Sequence, residues 1–429
     1  MKKIAYILFF ILIGMNLTAQ DYVSYWDGKR EAIREGSGTE SDPYIIRNAQ
    51  QFAWLVYLIN WDYGDWTDGK HFLLKTDIDL LGNHDNQWIP IGAGNSRNGN
   101  KKFNGVFDGG FHKIIGLYID NDNPLDNETS LWWGTPYVAF FSGIGNNGVI
   151  KNLYLEGTVT NTRTAAGFSG QGGVFEYCVS NVDVEVENNI NSTGGIVTRD
   201  GTVRYCANLG DIKGGQSVGG LVGFKGTVEN SYNIGRIEGI NRLGGIVGHT
   251  MNGTTLRNCY NVGEVVYNEN VEYIGAIVGS VSGSPTIENC FYREGCVANP
   301  NEYGEPKTAE YMRSQAFVNL LNNGTNVWVM DEENTNEGYP VFGNTQFGVD
   351  EILTEFSDVV VVYPNPVTDN VCVVGDVVSC DMFDLVGKCV LSESKNMEVI
   401  NVTDLPSGIY MMRFVTKNGN VVTKKIVKK

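Results

Sequence analysis

Apolar residues in this chain recur as short phrases rather than helical stripes. Gly194-Gly195-Ile196-Val197 returns as Gly219-Gly220-Leu221-Val222-Gly223, Gly244-Gly245-Ile246-Val247-Gly248 and Gly275-Ala276-Ile277-Val278-Gly279, at starts 25, 25 and 31 residues apart. A second phrase follows at 203–210, 228–235 and 256–263. Short β-rich runs punctuated by glycine predict strands and corners. Their period predicts a solenoid whose units bury their apolar edges only against their neighbours. Three positions stay apolar or small: Val203/Val228/Leu256/Ile287, Cys206/Ser231/Cys259/Cys290 and Ile212/Ile237/Val265. Stacked coil on coil, they make a continuous interior. Residues 139–143 and 166–170 extend the first phrase backwards, 150–153 and 175–178 extend the second, and 107–117 offers an earlier coil.

The predicted class is all-β: a right-handed parallel β-helix capped by short helices, then a small antiparallel sandwich. Asn208, Asn233 and Asn261 each precede a glycine by two residues. Both residue types tolerate left-handed dihedrals, so this Asn-x-Gly reads as a turn made once per coil. Coil ends are open sheet edges and need covers. Asn48 and Gln51 form a capping-box-like start for a helix facing Phe52, Leu55, Val56 and Ile59 inward. Thr308 starts another through Asn322, with Met312, Ala316, Phe317 and Leu320 inward. A strand at 328–330 and the turn-rich 336–342 then close the body.

The chain opens with Lys2 and Lys3 before an apolar run at 4–13 and small residues at 14–19, the pattern of an export signal cut after Ala19. That run is too short for a membrane span, and no other stretch could cross a bilayer as a helix. The domain reading is 1–19 signal peptide, 20–347 β-helix with caps, 348–355 linker and 356–429 C-terminal domain. Net charge is −17, and such an acidic body repels phosphate backbones and argues against nucleic acid as partner. Eight cysteines in an exported chain invite a disulfide reading. Cys178, Cys206, Cys259 and Cys290 share one repeat position, however, with Ser231 in the same slot. Stacked about 4.8 Å apart, they read as a ladder of small buried thiols.

The Gly-Gly-Leu-Val-Gly phrases resemble the GLUG-motif family of secreted and surface bacterial proteins. Residues 36–46, 77–80, 88–92 and 103–110 look like that family's first coils. The resemblance runs from about Trp26 to Phe342, departs at Thr198, at Ala276 and in an insertion near 120–137, and implies adhesion or surface display with no catalytic set. The tail carries a second resemblance. Tyr363-Pro364-Asn365-Pro366, Asp384-Leu385-Val386-Gly387-Lys388, the run 404–410 with Leu405, Gly408, Ile409 and Tyr410, and the ending 424–429 with Lys425 look like a type IX secretion sorting domain, type A. That implies Sec export to the periplasm, handling by the type IX secretion machinery and passage through the outer membrane. Alternating runs at 371–374 and 410–415 suit a small sandwich.

Catalytic signals are sparse. His71, His84, His112 and His249 lack metal-ligand spacing and no serine nucleophile motif accompanies them. No metal or cofactor is called for. Asp77 and Asp79 are read as pointing to opposite faces of a strand, and Asp183, Glu185 and Glu187 as sharing a solvated face. Asp62, Asp65 and Asp68 do not match a calcium-loop spacing. The aromatic segments interrupting the repeat are the better ligand contacts: Trp61, Tyr63 and Trp66, then Trp132 and Trp133. The expectation is a non-enzymatic exported adhesin contacting an extracellular glycan or protein. A polysaccharide lyase or glycoside hydrolase on the same scaffold is the alternative.

Overall fold

The computed structural model describes residues 23–429 except 63, 93–101, 121–136, 162–163, 188–190, 268–270, 333, 344–359, 364–365, 375–376, 385–386, 395–398 and 418–420. Side chains at 61–65, 361, 363, 372 and 374 are likewise outside the description. The export signal read at 1–19 and the linker read at 348–355 lie outside the described residues. The chain divides into two compact units, and each is described by itself.

The first unit is a parallel β-solenoid of about 8 turns. Val203 pairs with Phe175 on one side and Val228 on the other; Val228 pairs with Leu256, and Leu256 with Ile287. Ile212 lies between Val184 and Ile237, and Val265 continues that row. The repeat positions read from the sequence therefore stack in register, coil on coil. Phe72, Phe103, Phe107, Phe140, Phe141, Phe168 and Phe175 fill the early coils; Val, Ile and Leu fill the later ones.

Each coil turns its first corner at a left-handed residue: Asn152, Tyr177, Tyr205, Asn230, Asn258 and Asn289 all have φ between 48° and 54°. The Asn-x-Gly phrase is not that corner. Asn208, Asn233 and Asn261 are fully buried and sit in strands, outside the left-handed region. Asn208 donates to the Asn233 side-chain oxygen and Asn233 to that of Asn261, each at 2.8 Å, and the three amides also donate to the carbonyls of Gly210, Gly235 and Gly263. These asparagines are an internal polar spine in which one coil supplies the next one's partner.

The glycine phrases answer that spine. Strands Ser192–Gly194, Ser217–Gly219, Leu243–Gly244 and Ile274–Gly275 form one four-stranded sheet; Val197–Arg199, Val222–Phe224, Val247–Thr250 and Val278–Val281 form another. Gly219 and Gly248 are the contact between them, since a Cβ on Gly219 would lie 2.6 Å from the Gly248 nitrogen. Gly220 faces the spine: its Cβ would lie 2.5 Å from Asn233 Cγ and 2.2 Å from the Gly245 carbonyl. Gly244 and Gly245 stand in the same relations to Gly279 and Asn261. These glycines are required by close approach, not by dihedral freedom.

Cys178, Cys206, Cys259 and Cys290 are free and buried. The thiols of Cys206, Cys259 and Cys290 donate to the carbonyls of Arg204, Arg257 and Glu288 at 3.1–3.3 Å, as the Ser231 hydroxyl does to Glu229 at 2.8 Å. A small donor here closes the carbonyl two residues back, across the left-handed corner. That is why serine substitutes for cysteine in the third coil.

Helix α1 (Ala49–Tyr57) starts as expected: the Asn48 side chain accepts from the Gln51 nitrogen at 2.7 Å. The Gln51 side chain returns the bond to Arg47 rather than Asn48. Phe52 stacks on Trp88 and Phe140 at 5.4 and 5.8 Å, inserting the helix into the first coils. The second predicted helix is two: α2 (Ala309–Met312), started by Thr308, and α3 (Gln315–Asn322). Ser314 interrupts them, because its hydroxyl accepts from the Phe317 nitrogen as a fresh N-cap.

In the second unit Trp328–Val329 pairs antiparallel with Val341–Phe342. The buried Asp331 carboxylate organises the turn between them, accepting from the nitrogens of Thr335, Asn336 and Gly338. The tail is two small antiparallel sheets, one of Val361–Tyr363, Asn370–Val374 and Val399–Asn401, the other of Cys389–Glu393, Val377–Phe383, Gly408–Thr416 and Val421–Lys428. Val371, Cys380, Met382, Ile400, Met412, Phe414 and Ile426 form their shared core.

Candidate functional site

Parallel stacking sorts the outward side chains into rows, one residue per coil, about 4.8 Å apart. One row alternates in charge. Lys151 pairs with Asp108 at 3.3 Å; Arg204 pairs with Glu176 at 3.6 Å and Glu229 at 3.0 Å; Arg257 reaches Glu229 at 4.0 Å and Glu288 at 3.0 Å. Exposed pairs contribute about 1 kcal/mol or less each, but their continuity uses up the row's charge internally. Beside it Tyr177 stacks on Tyr205 at 4.7 Å, and an outer asparagine ladder runs Asn230–Asn258–Asn289 to the Leu320 and Leu321 carbonyls of α3. Asp183, Glu185 and Glu187 are exposed as expected; Glu185 is paired with Lys213, and Asp183 accepts from the Asp211 nitrogen.

Asp77 and Asp79 both face outward, as residues two apart on a strand must; the opposite-face expectation is corrected. The Asp77 carboxylate contacts His112 Nδ1 at 2.9 Å and accepts from the Lys113 nitrogen at 3.0 Å. Asp79 accepts from the Leu81 nitrogen at 2.8 Å. Its burial, with the negative charge of Glu156, raises its carboxyl above the usual range. Glu156 accepts from the Tyr154 hydroxyl at 2.8 Å and from Asn181 Nδ2 at 3.1 Å. Burial pushes the Tyr154 phenol up, so it stays a proton donor to Glu156.

A third row is planar. Arg199, Phe224 and His249 occupy one position on successive coils, in register. Phe224 and His249 stack at 5.3 Å with rings 1° from parallel, and the Arg199 guanidinium lies 5.2 Å from the other side of Phe224. Burial and nearby Arg242 hold His249 below the usual imidazole value, so it is neutral at pH 7. These residues directly follow the glycine phrases, so the repeat alignment alone could have grouped them.

Of the aromatic residues singled out, Trp66 is half-buried and packs on Tyr44 at 5.5 Å, Phe72 at 5.7 Å and Trp54 at 6.2 Å. The side chains of Trp61 and Tyr63, and all of Trp132 and Trp133, lie outside the described residues. In the tail, the Tyr410 hydroxyl donates to the Pro406 carbonyl at 2.8 Å, Ile409 pairs with Val427 and Gly408 with Lys428, and Met411 pairs with Lys425. Leu405 packs against the tail core, Gly387 takes a φ of 82° in its turn, and Pro366 is exposed. Tyr363 ends a strand and pairs with Cys372; Pro364 and Asn365 lie outside the described residues.

Among known proteins, a candidate Gly-rich membrane protein of Evansella cellulosilytica is 30% identical over 193 residues, 43% of this chain. The chain covers only 20% of that relative's length. A candidate immunoglobulin A1 protease from Bacteroides ovatus, known from a crystal structure, aligns over 72% of this chain and 94% of its own, with 20% identity and a TM-score of 0.47. Residues 361–429 match the family model described as a secretion system C-terminal sorting domain. The two antiparallel sheets of the tail are therefore a type IX sorting domain, and the chain that carries it is an exported protein handled by that secretion machinery.

Proposed function

We propose that this protein is a GLUG-motif adhesin, exported through Sec, delivered across the outer membrane by its tail, and active as a binding protein at or beyond the cell surface. The observation that carries the reading is the sorting domain joined to a solenoid whose long outer rows repeat with every coil. Such rows suit recognition of an extended partner, and most of their charged side chains are engaged with neighbouring rungs instead of converging on one point. Trp61, Tyr63, Trp66, Trp132 and Trp133 are the proposed ligand contacts; Trp66 is half-buried against Tyr44. A glycan and extracellular-matrix array tests this: saturable binding lost in Trp133→Ala is expected, and silence across the array overturns it.

One observation favours a second reading, a glycoside hydrolase. Asp79 holds its proton to a higher pH than an ordinary carboxyl, and Glu156 lies near enough to contribute to that. A carboxyl that holds its proton beside a second carboxyl group is what acid–base glycoside hydrolysis uses. Release of reducing ends from a polysaccharide, abolished by Asp79→Asn, would establish it over the adhesin.

A further inference from the structure

In a chain of net charge −17, the planar row is a local reversal of sign. Arg199, Lys225 and Arg242 flank it, and Lys102 reaches Gln171 on the coil before Arg199. Arg199 and Lys225 share one carboxylate, Asp200, at 3.0 and 3.5 Å. Among the described residues no carboxylate lies within ion-pair distance of Lys102 or Arg242; these reach the side-chain oxygens of Gln171 and Gln216 at 3.4 and 3.5 Å. The Arg242 guanidinium also lies 5.7 Å from the Tyr273 ring, whose phenol pKa is raised by neighbouring Glu272. His249 Nδ1 is buried without a hydrogen-bond partner. The Arg204 row closes its charges rung to rung; this one leaves Lys102 and Arg242 without a carboxylate.

We propose that the Arg199–Phe224–His249 row is the binding site for an extended acidic polysaccharide lying along the solenoid axis. The inference rests on the binding reading above and names its ligand class. Positive charge selects a polyanion. The stacked rings cover one another's faces, so the row offers edges: guanidinium and imidazole N–H groups with an aromatic rim between them. Such edges suit hydroxyl and carboxylate oxygens of a sugar chain better than a ring stacked on top. The row's positions repeat once per coil, about 4.8 Å, with donors at Arg199 and His249 on either side of Phe224, and a pyranose unit in an extended chain advances by nearly one such step. Successive sugars therefore meet equivalent positions on successive coils.

The test uses the full exported chain, immobilised, against polygalacturonate and chondroitin sulfate, with dextran as the neutral sugar and polyphosphate as the non-sugar polyanion. Saturable binding to an acidic polysaccharide is expected, weakening as salt rises. It should fall at least tenfold in Arg242→Ala and in His249→Ala, and stay unchanged in Arg204→Ala on the self-paired charge row. Acidic polysaccharides bound no better than dextran, or bound equally by Arg242→Ala, would overturn the inference. So would polyphosphate binding as tightly and depending on the same residues. A protein or neutral glycan bound independently of Arg242 defeats this inference alone, whereas no binding to any partner defeats the adhesin reading with it.

Discussion

Asn233 donates to the side-chain oxygen of Asn261, 2.8 Å away on the next coil, while accepting the same bond from Asn208 on the coil before. Each amide is thus half of two coils at once, and the solenoid's cohesion along its axis is partly polar. The spine ends abruptly at its N-terminal side: Asn208 Oδ1 and the Ser180 hydroxyl, on adjacent coils, are both buried and unbonded.

Two substitutions follow from that spine with opposite signs. Asn233→Ala leaves Asn261 Oδ1, the Gly235 carbonyl and Asn208 Nδ2 short of a partner, and should lower stability by about 3 kcal/mol. Ser180→Asn supplies a donor for Asn208 Oδ1 in the slot that faces Gly167. It should raise stability by about 1 kcal/mol. Urea titration followed by tyrosine and tryptophan fluorescence measures both, and a loss of stability in Ser180→Asn would contradict the ladder account.

Gly220→Ala should be far worse than its single methyl suggests. The new Cβ would meet the Gly245 carbonyl at 2.2 Å and the spine at 2.5 Å, both immobile. We expect a loss of about 3 kcal/mol or more, seen as a lower melting temperature and aggregation on expression. Gly253→Ala, with nothing within 4 Å but a φ of +78°, should cost about 1 kcal/mol.

Thiol chemistry offers a third check. Burial pushes Cys178 and Cys259 well up, Cys296 to about 11 and Cys380 to about 12, and the thiolate is the reactive form. Among the described cysteines, iodoacetamide at pH 8 should modify exposed Cys389 in the folded protein and spare the others until denaturant is added. Mass spectrometry reads the sites; a bridge linking Cys178 to Cys206 or Cys259 to Cys290 would end the ladder account.

Asp79 makes stability depend on pH in a stated direction. Its folded pKa lies above its unfolded one, so the neutral form is favoured by folding. This contribution is fully present below the unfolded value, about pH 4, and is lost as pH rises through the raised folded value. Asp79→Asn keeps the oxygen that accepts from Leu81 and removes the charge. It should raise the melting temperature at pH 7 by about 2 °C and have little effect at pH 4, as scanning calorimetry at the two pH values would show.

Deleting residues 356–429 removes the sorting domain. The truncated chain should accumulate inside the cell envelope, and cell fractionation should find it absent from the surface and the medium. Normal delivery of the truncate would refute the sorting role of the tail.

The coil register was legible because Val203, Cys206 and Ile212 each recur with the period and fill the same slot. Asn48 was legible too, since capping needs only residues three apart. The Asn-x-Gly phrase misled because Asn208 has two physical uses: a turn former when exposed and a self-pairing amide when buried. Its burial depends on Gly195 from another part of the coil. The corner at Tyr177 and Tyr205 escaped notice because bulky residues seldom adopt left-handed dihedrals. Here stacking between coils holds them. The planar row was missed for a similar reason: Arg199, Phe224 and His249 share no chemistry until they are stacked.

By itself the sequence determined the solenoid, its period, the buried thiol slot and the sorting tail, because each rests on local patterns repeated or collected within short stretches. Only the tertiary structure decided which glycines meet which asparagines and which charges cancel along a row. It also decided where cations are left without a carboxylate. The spine amides and the Arg204–Glu229 and Arg257–Glu288 pairs join residues 25 to 31 positions apart, and their distances exist only once one coil has closed upon the next.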